Sequence, residues 1–269
     1  MEISLLIRNQ LMSLSRPRVM AIINFSPDSF YTSCDASREA DILWHVEDVL
    51  RSGADILDLG ACSTRPGSTP VDAVTEWQLL SEGLKTIRHH WHDVPISVDT
   101  FRPEIAERAI AMGADMINDV SGANADPRLW ELAAKHHVPY VLTHAQPTIG
   151  PAMVDVLHFL EQYMDKLHRL GVADVIVDPG FGFGKTEEQN YTLLRQLNVL
   201  QTLHAPVLVG VSRKSMLYKP LQTSPDDVLA ATVAANTLAL ERGAHILRVH
   251  DVAAAHQAIQ VHQLTNPCP

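Results

Sequence analysis

A few side chains in this sequence carry most of its chemical potential, and they fall at regular intervals. Arg65, Lys214, Arg248 and His250 are donors suited to a phosphate or a carboxylate. Asp99, Asn118 and Asp178 have the groups to read the donor–acceptor edge of a flat heterocycle. A ring with an amidine-like edge pairs with a buried carboxylate through two parallel hydrogen bonds, as arginine does. The combination suggests a ligand that joins a nitrogen heterocycle to an anionic group. No convincing Ser-His-Asp or Cys-His arrangement accompanies these residues.

Two other clusters are weaker signals. Gly180-Phe181-Gly182-Phe183-Gly184-Lys185-Thr186 resembles a phosphate loop, but Pro179 stands where a Walker A motif requires glycine, and the spacing also misses GxGxxG. Its glycines are expected to let a loop pass close to a ligand, with Phe181 or Phe183 as an apolar wall. The histidines at 89, 90, 92, 136 and 137 fall near predicted helix ends, where cations suit the helix dipole better than they suggest a metal site.

The elements that must position these residues are visible as a rhythm. Gly53-Ala54-Asp55, Gly113-Ala114-Asp115, Gly171-Val172-Ala173-Asp174 and Gly243-Ala244-His245 each lead into a short apolar run. Glycine suits a helix C′ position, and a short apolar run bounded in this way reads as a strand buried on both faces. Pro17, Pro95, Pro139 and Pro206 precede the intervening runs, since proline is tolerated where a strand begins and cannot continue a helix. Helices are expected over residues 37–52, 71–90, 103–112, 126–136, 154–170, 187–203, 225–242 and 252–264. About eight strand–helix units in this length predict an α/β fold, a single (β/α)8 barrel over residues 1–269, with a doubly wound sheet as the alternative.

Catalytic groups of such a barrel belong at the C-terminal strand ends. Here these ends offer Asn24; Asp58 with Ser63-Thr64-Arg65; Asp99; Asn118 and Asp119; His144 and Gln146; Asp178; Ser212-Arg213-Lys214; and Arg248, His250 and Asp251. Any one of them could be a helix cap or a loop hydrogen-bonder. Polar residues at all of the ends are harder to explain as capping.

Composition narrows the function classes. The 269 residues are 46% hydrophobic and 19% charged, with a formal net charge of −10. A disordered chain is excluded, and so is a broad basic face for nucleic acid. The acidic total is expected to describe the exterior, with the sign reversed locally around the basic side chains of the site. Cys34, Cys62 and Cys268 lack CxxC spacing, which suits a reducing compartment. The short run from Ser4 to Ile7 is too brief for a secretory signal, and no stretch has the length of a membrane span. A cytoplasmic protein is expected.

Taken in order, seven segments resemble the dihydropteroate synthase family of pterin-binding barrels. They are Ile23-Asn24-Phe25-Ser26-Pro27-Asp28-Ser29-Phe30, Ser63-Thr64-Arg65-Pro66-Gly67, Ser97-Val98-Asp99-Thr100, Ile117-Asn118-Asp119, Asp178 through Lys185, Ser212-Arg213-Lys214-Ser215 and Arg248-Val249-His250-Asp251. The resemblance implies condensation of 6-hydroxymethyl-7,8-dihydropterin diphosphate with 4-aminobenzoate, releasing pyrophosphate. It implies a pterin held by Asp99, Asn118, Asp178 and Lys214, and a diphosphate held by Asn24, Arg65, Arg248 and His250, with Mg2+ at Asn24. It also implies an aminobenzoate near Thr64, Pro66, Phe183, Lys214 and Ser215, and a homodimer. Asp99, Lys214, Arg248 and His250 are the catalytic candidates.

The sequence departs from the family pattern in three places. Ala61-Cys62 replaces a common Gly-Glu, Tyr31-Thr32-Ser33-Cys34 replaces a glycine-rich stretch, and Thr143 replaces a methionine in Thr143-His144-Ala145-Gln146-Pro147. These changes motivate the alternative of a catalytically impaired pterin-binding paralogue. A methyltetrahydrofolate-dependent methyltransferase is a further alternative, but it would lack the Ser-Thr-Arg-Pro-Gly and Ser-Arg-Lys-Ser segments.

Overall fold

A computed structural model describes residues 3–25, 35–61 and 71–266. A hairpin of β1 (Ser4–Ile7) and β2 (Gln10–Ser13) comes first. The repeating units follow as β3 (Arg18–Asn24), α1 (Asp35–Arg51), β4 (Ile56–Gly60), α2 (Ala73–His90), β5 (Ile96–Asp99), α3 (Pro103–Ala111), β6 (Met116–Asp119), α4 (Pro127–His136) and β7 (Tyr140–Thr143). The chain continues through α5 (Ala152–Leu170), β8 (Val175–Asp178), α6 (Glu187–Arg195), β9 (Leu208–Val209), α7 (Ser215–Tyr218), α8 (Leu229–Leu240), β10 (Ile246–Val249) and α9 (Val252–Thr265).

Strands β3 to β10 form one parallel eight-stranded sheet in the order β8-β7-β6-β5-β4-β3-β10-β9. Val177 of β8 bridges in parallel to Val207, which immediately precedes β9, and this brings the two edges together. The sheet is therefore a nearly closed barrel, as the proline–glycine rhythm predicts. The four rhythm glycines, Gly53, Gly113, Gly171 and Gly243, hold φ between 88° and 101°, the left-handed turn that ends a helix and admits the next strand.

The pleat sorts each strand into an outward and an inward set. Val19, Leu57, Val98, Ile117, Leu142, Val177, Val209 and Leu247 face outward and join the helices in the main core. Met20, Ile56, Met116, Val141, Ile176, Leu208 and Ile246 face inward and form a second, separate cluster. Leu5, Ile7 and Leu14 from the hairpin region pack into that cluster and stop the lower end of the barrel. The sequence reading treated Ser4 to Ile7 only as a failed signal peptide. Arg8 and Asn9, with φ of 52° and 62°, make the two-residue turn that pairs the run with Gln10–Ser13.

Two helices differ from expectation. The predicted helix over 187–203 divides into α6 and a 3-10 segment, Leu197–Leu203, in which Leu197 and Leu200 are buried at the three-residue spacing that segment favours. The Arg195 carbonyl accepts from Arg242 Nε at 3.1 Å instead of continuing the helix. The predicted start at Pro225 is a turn, closed by Asp227 N–H on the Ser224 carbonyl, and α8 begins at Leu229. Among the described residues no helix is long and apolar enough to cross a membrane.

Candidate active site

Two residues above the apolar inward layer, the same strand faces turn polar. Asp58 lies above Ile56, Asn118 above Met116, Thr143 above Val141, Asp178 above Ile176 and Arg248 above Ile246, while Asp99 follows Ser97 on β5. Alternation along each strand puts all of these side chains inside the barrel. Asp119 is one residue further and so faces out. Its carboxylate accepts from the Tyr140 hydroxyl and from Ser121, and Trp130 Nε1 donates to that hydroxyl at 3.0 Å. Of the two polar residues at the β6 end, only Asn118 belongs to the site.

Arg248 joins the inner layer across the barrel. Its Nε donates to Asp58 Oδ2 at 2.7 Å and its Nη2 to Asp99 Oδ2 at 2.6 Å. Asn118 Nδ2 donates to the same Asp58 oxygen at 3.0 Å. Asp58 is fully buried, and its Oδ1 has no hydrogen-bond partner among the described residues. The sequence reading placed Asp58 at a strand end without giving it a role. The signal that could have found it was its position two residues past an inward-facing Ile56. Burial outweighs Arg248 at Asp99, and with Asp58 sharing that cation the Asp99 carboxyl is pushed up to about 7. Asp178 is likewise raised by burial, and its Oδ1 accepts from Gly180 N–H at 2.7 Å.

Lys214 enters from the loop after β9. Its Nζ donates to the Phe181 carbonyl and lies 4.5 Å from the centre of the Phe183 ring. Burial lowers its pKa to about 8, against the pull of Asp178. Phe183, half-buried, is therefore the aromatic wall of the glycine loop, whereas Phe181 is fully buried and packs in the outer core. The loop is tied down by Lys185, whose Nζ donates to the carbonyls of His144 and Gly180 at 2.8 Å and of Phe183 at 3.2 Å. Gly180, at φ 69°, permits this, since a Cβ there would lie 2.1 Å from the His144 carbonyl oxygen. Burial brings Lys185 to about 7 and His144, beside it, to about 4.

The remaining candidates sit around the mouth. Asn24 ends β3, partly buried. Ser215 opens α7, next to Lys214. His250 is exposed, with Nδ1 3.2 Å from Ser212 Oγ. Arg213 turns away, bonding both oxygens of Asp251 and also Asp226. Thr64, Arg65 and Pro66 lie outside the described residues, as do Cys34, Cys62 and Cys268. In the described inner layer three carboxylates (Asp58, Asp99, Asp178) meet two cations (Arg248, Lys214), while Arg65, part of the expected basic set, lies outside the described residues. Burial, rather than an excess of positive charge, sets the protonation of this layer.

This arrangement suits a ring with several N–H donors at the bottom and an anion at the rim. Comparison with known proteins agrees. A model of the pterin binding enzyme family matches residues 20–250. The dihydropteroate synthase of Synechocystis is 38% identical over 258 residues, covering 91% of this chain and 89% of that protein. The Xanthomonas albilineans dihydropteroate synthase, solved with 4-aminobenzoic acid, is 36% identical with a TM-score of 0.91 over 100% of both chains. The Thermus thermophilus enzyme, solved with 4-aminobenzoate, is 37% identical with a TM-score of 0.87, covering 97% of this chain and 99% of that one. With the match running from β3 to the end of β10, the chain belongs to the pterin binding enzymes and, among them, to the dihydropteroate synthases.

Proposed function

We propose that this chain condenses 6-hydroxymethyl-7,8-dihydropterin diphosphate with 4-aminobenzoate, giving 7,8-dihydropteroate and pyrophosphate for folate biosynthesis. The observation that carries this reading is the buried polar layer of Asp99, Asn118 and Asp178 beside Lys214 and Arg248, set in a barrel of this family. Asp99, Asn118, Asp178 and Lys214 hold the pterin. As the C–O bond to the diphosphate breaks, positive charge develops on the pterin methylene carbon, and ionised Asp99 stabilises it. The arylamine nitrogen attacks that carbon, forms the new C–N bond and releases a proton. The aminobenzoate ring lies near Phe183, Lys214 and Ser215, and the family resemblance adds Thr64 and Pro66.

Arg65, Arg248 and His250, with Asn24, face the leaving diphosphate. Arg248 has five N–H donors and two hydrogen bonds to carboxylates, which leaves donors for an anion above it. The side-chain oxygen of Asn24 is a hard donor at the rim. Mg2+ commonly keeps several waters and takes one or two protein oxygens together with phosphate oxygens, so this sparse donor set fits it. Bound there, Mg2+ supplies charge neutralisation for the diphosphate.

Helix α8, Leu229-Ala-Ala-Thr-Val-Ala-Ala-Asn-Thr-Leu-Ala-Leu240, contains no charged residue yet exposes Leu229 and Leu238. This supports a homodimer in which α8 meets a second copy, in a protein expected to be cytoplasmic. Leu238→Asp is expected to halve the mass seen by sedimentation. The assay for the activity is pyrophosphate release from pterin diphosphate, 4-aminobenzoate and Mg2+. Pterin binding without release would support the impaired paralogue instead.

A further inference from the structure

We infer that Asp58 is a positioning residue that sets the polarity with which Asn118 reads the pterin ring; this rests on the pterin reading above. The inference begins with a cost. Asp58 is fully buried one layer above Ile56, and one of its oxygens has no partner among the described residues. An unpaired oxygen on a buried carboxylate destabilises a fold, and the layer below shows that apolar residues fill this barrel well. The carboxylate is better explained by what its other oxygen does.

That oxygen, Oδ2, receives two donors. Arg248 Nε reaches it at 2.7 Å and Asn118 Nδ2 at 3.0 Å. A guanidinium has only donors to offer, so Oδ2 acts as an acceptor. An acceptor admits the nitrogen of the Asn118 amide and rejects its oxygen. The flip that an asparagine otherwise makes freely is thereby closed. Asn118 presents its oxygen and its remaining N–H to the ring in a fixed order. No hydrogen bond to Asn118 Oδ1 is found among the described residues, and the side chain is buried, so that oxygen is available to a ligand donor.

The consequence is specificity rather than catalysis. A site built to hydrogen-bond a substrate N–H rejects an analogue that lacks it by factors of about 10⁴. That rejection fails if the reading amide can turn over. The test uses 6-hydroxymethylpterin and its 2-oxo analogue, which puts an acceptor where the pterin carries an amino donor. Dissociation constants are measured by calorimetry on the full chain. The wild type is expected to prefer the pterin by about 100-fold or more. Asp58→Ala should reduce that ratio at least tenfold. In an Asn118→Ala background, Asp58→Ala should leave the ratio unchanged within twofold, because Asp58 acts on the ring through Asn118. A loss of stability with the ratio intact, or an equal loss of ratio in the Asn118→Ala background, overturns the inference. If Asp58→Ala does not fold, Asp58→Asn carries the test. It keeps an oxygen in place but lets the two amides turn together, so a ratio lowered at least threefold supports the inference and an unchanged ratio overturns it. Absence of pterin binding by the wild type would overturn the pterin reading itself, and this inference with it.

Discussion

Under the proposed mechanism the protonation of Asp99 and Lys214 decides how the site works, and their environments push their pKa values toward each other. Burial raises Asp99 to about 7 and lowers Lys214 to about 8. If ionised Asp99 and protonated Lys214 are both required, kcat/KM rises with pH up to about 7 and falls above about 8. A pH–rate profile checks this, and Asp99→Asn should remove the acidic limb while lowering the maximum. Arg248→Ala removes the proposed donor to the leaving group together with the cation that Asp58 and Asp99 share. Turnover should fall by at least about 100-fold. Steady-state pyrophosphate release on protein with native circular dichroism measures this, and near-normal turnover would remove Arg248 from the assigned role.

Much of this scale was legible beforehand, because strand ends in a parallel barrel announce themselves as polar residues after apolar runs. The period of two was the part left unread. It separates Asn118 inside from Asp119 outside, and it puts Asp58 in the site. Phe181 and Phe183 differ for the same kind of reason, since the glycine loop alternates what it buries and what it shows.

At the scale of elements, the Gly-Ala-Asp rhythm does more than end helices. Asp55 accepts from Val19 N–H at 2.9 Å, Asp115 from Ile96 N–H at 2.9 Å, and Asp174 from Leu6 N–H at 2.9 Å. In the fourth unit His245 replaces the acid, and its Nδ1 accepts from Val207 N–H at 3.1 Å. Asp174 thus takes the N–H of the exposed hairpin residue Leu6, whereas Asp55, Asp115 and His245 each satisfy a backbone donor at or beside the start of a barrel strand. His245 can do so only as the neutral ring, and burial lowers its pKa below 6.5. The unfolded chain therefore takes up a proton more readily than the folded one as pH falls. The stability owed to His245 is complete above about pH 6.5 and declines below it. Thermal melts at pH 7 and pH 5 should show a larger drop for the wild type than for His245→Asn. The sequence revealed the rhythm but not this task, because the hydrogen-bond partners lie 19 to 168 residues away and no local pattern names them. The break between α6 and the 3-10 segment was hidden likewise, since Arg242, which takes the Arg195 carbonyl, comes 47 residues later.

Over the whole molecule, the eight-unit count carried the fold class, and the hairpin was the piece that escaped. Arg8-Asn9 is a weak turn signal, and the three apolar residues before it suggest several things equally. Its importance comes from tertiary packing, where Leu5 is fully buried against the inward layer. Leu5→Ala is expected to cost about 3 kcal/mol in urea unfolding. Pterin affinity should stay within twofold, because the apolar layer separates the hairpin from Asp58 and Asp99.

The stopped lower end has a kinetic meaning. A barrel sealed beneath its reading layer is a corridor with a single door. Whatever occupies the deepest position must arrive first and leave last, and whatever sits nearer the mouth bars its way. On the proposed binding mode, order of arrival is a matter of architecture: the ring would have to be in place before its partner, and the joined product would have to withdraw past the same threshold by which its parts came in.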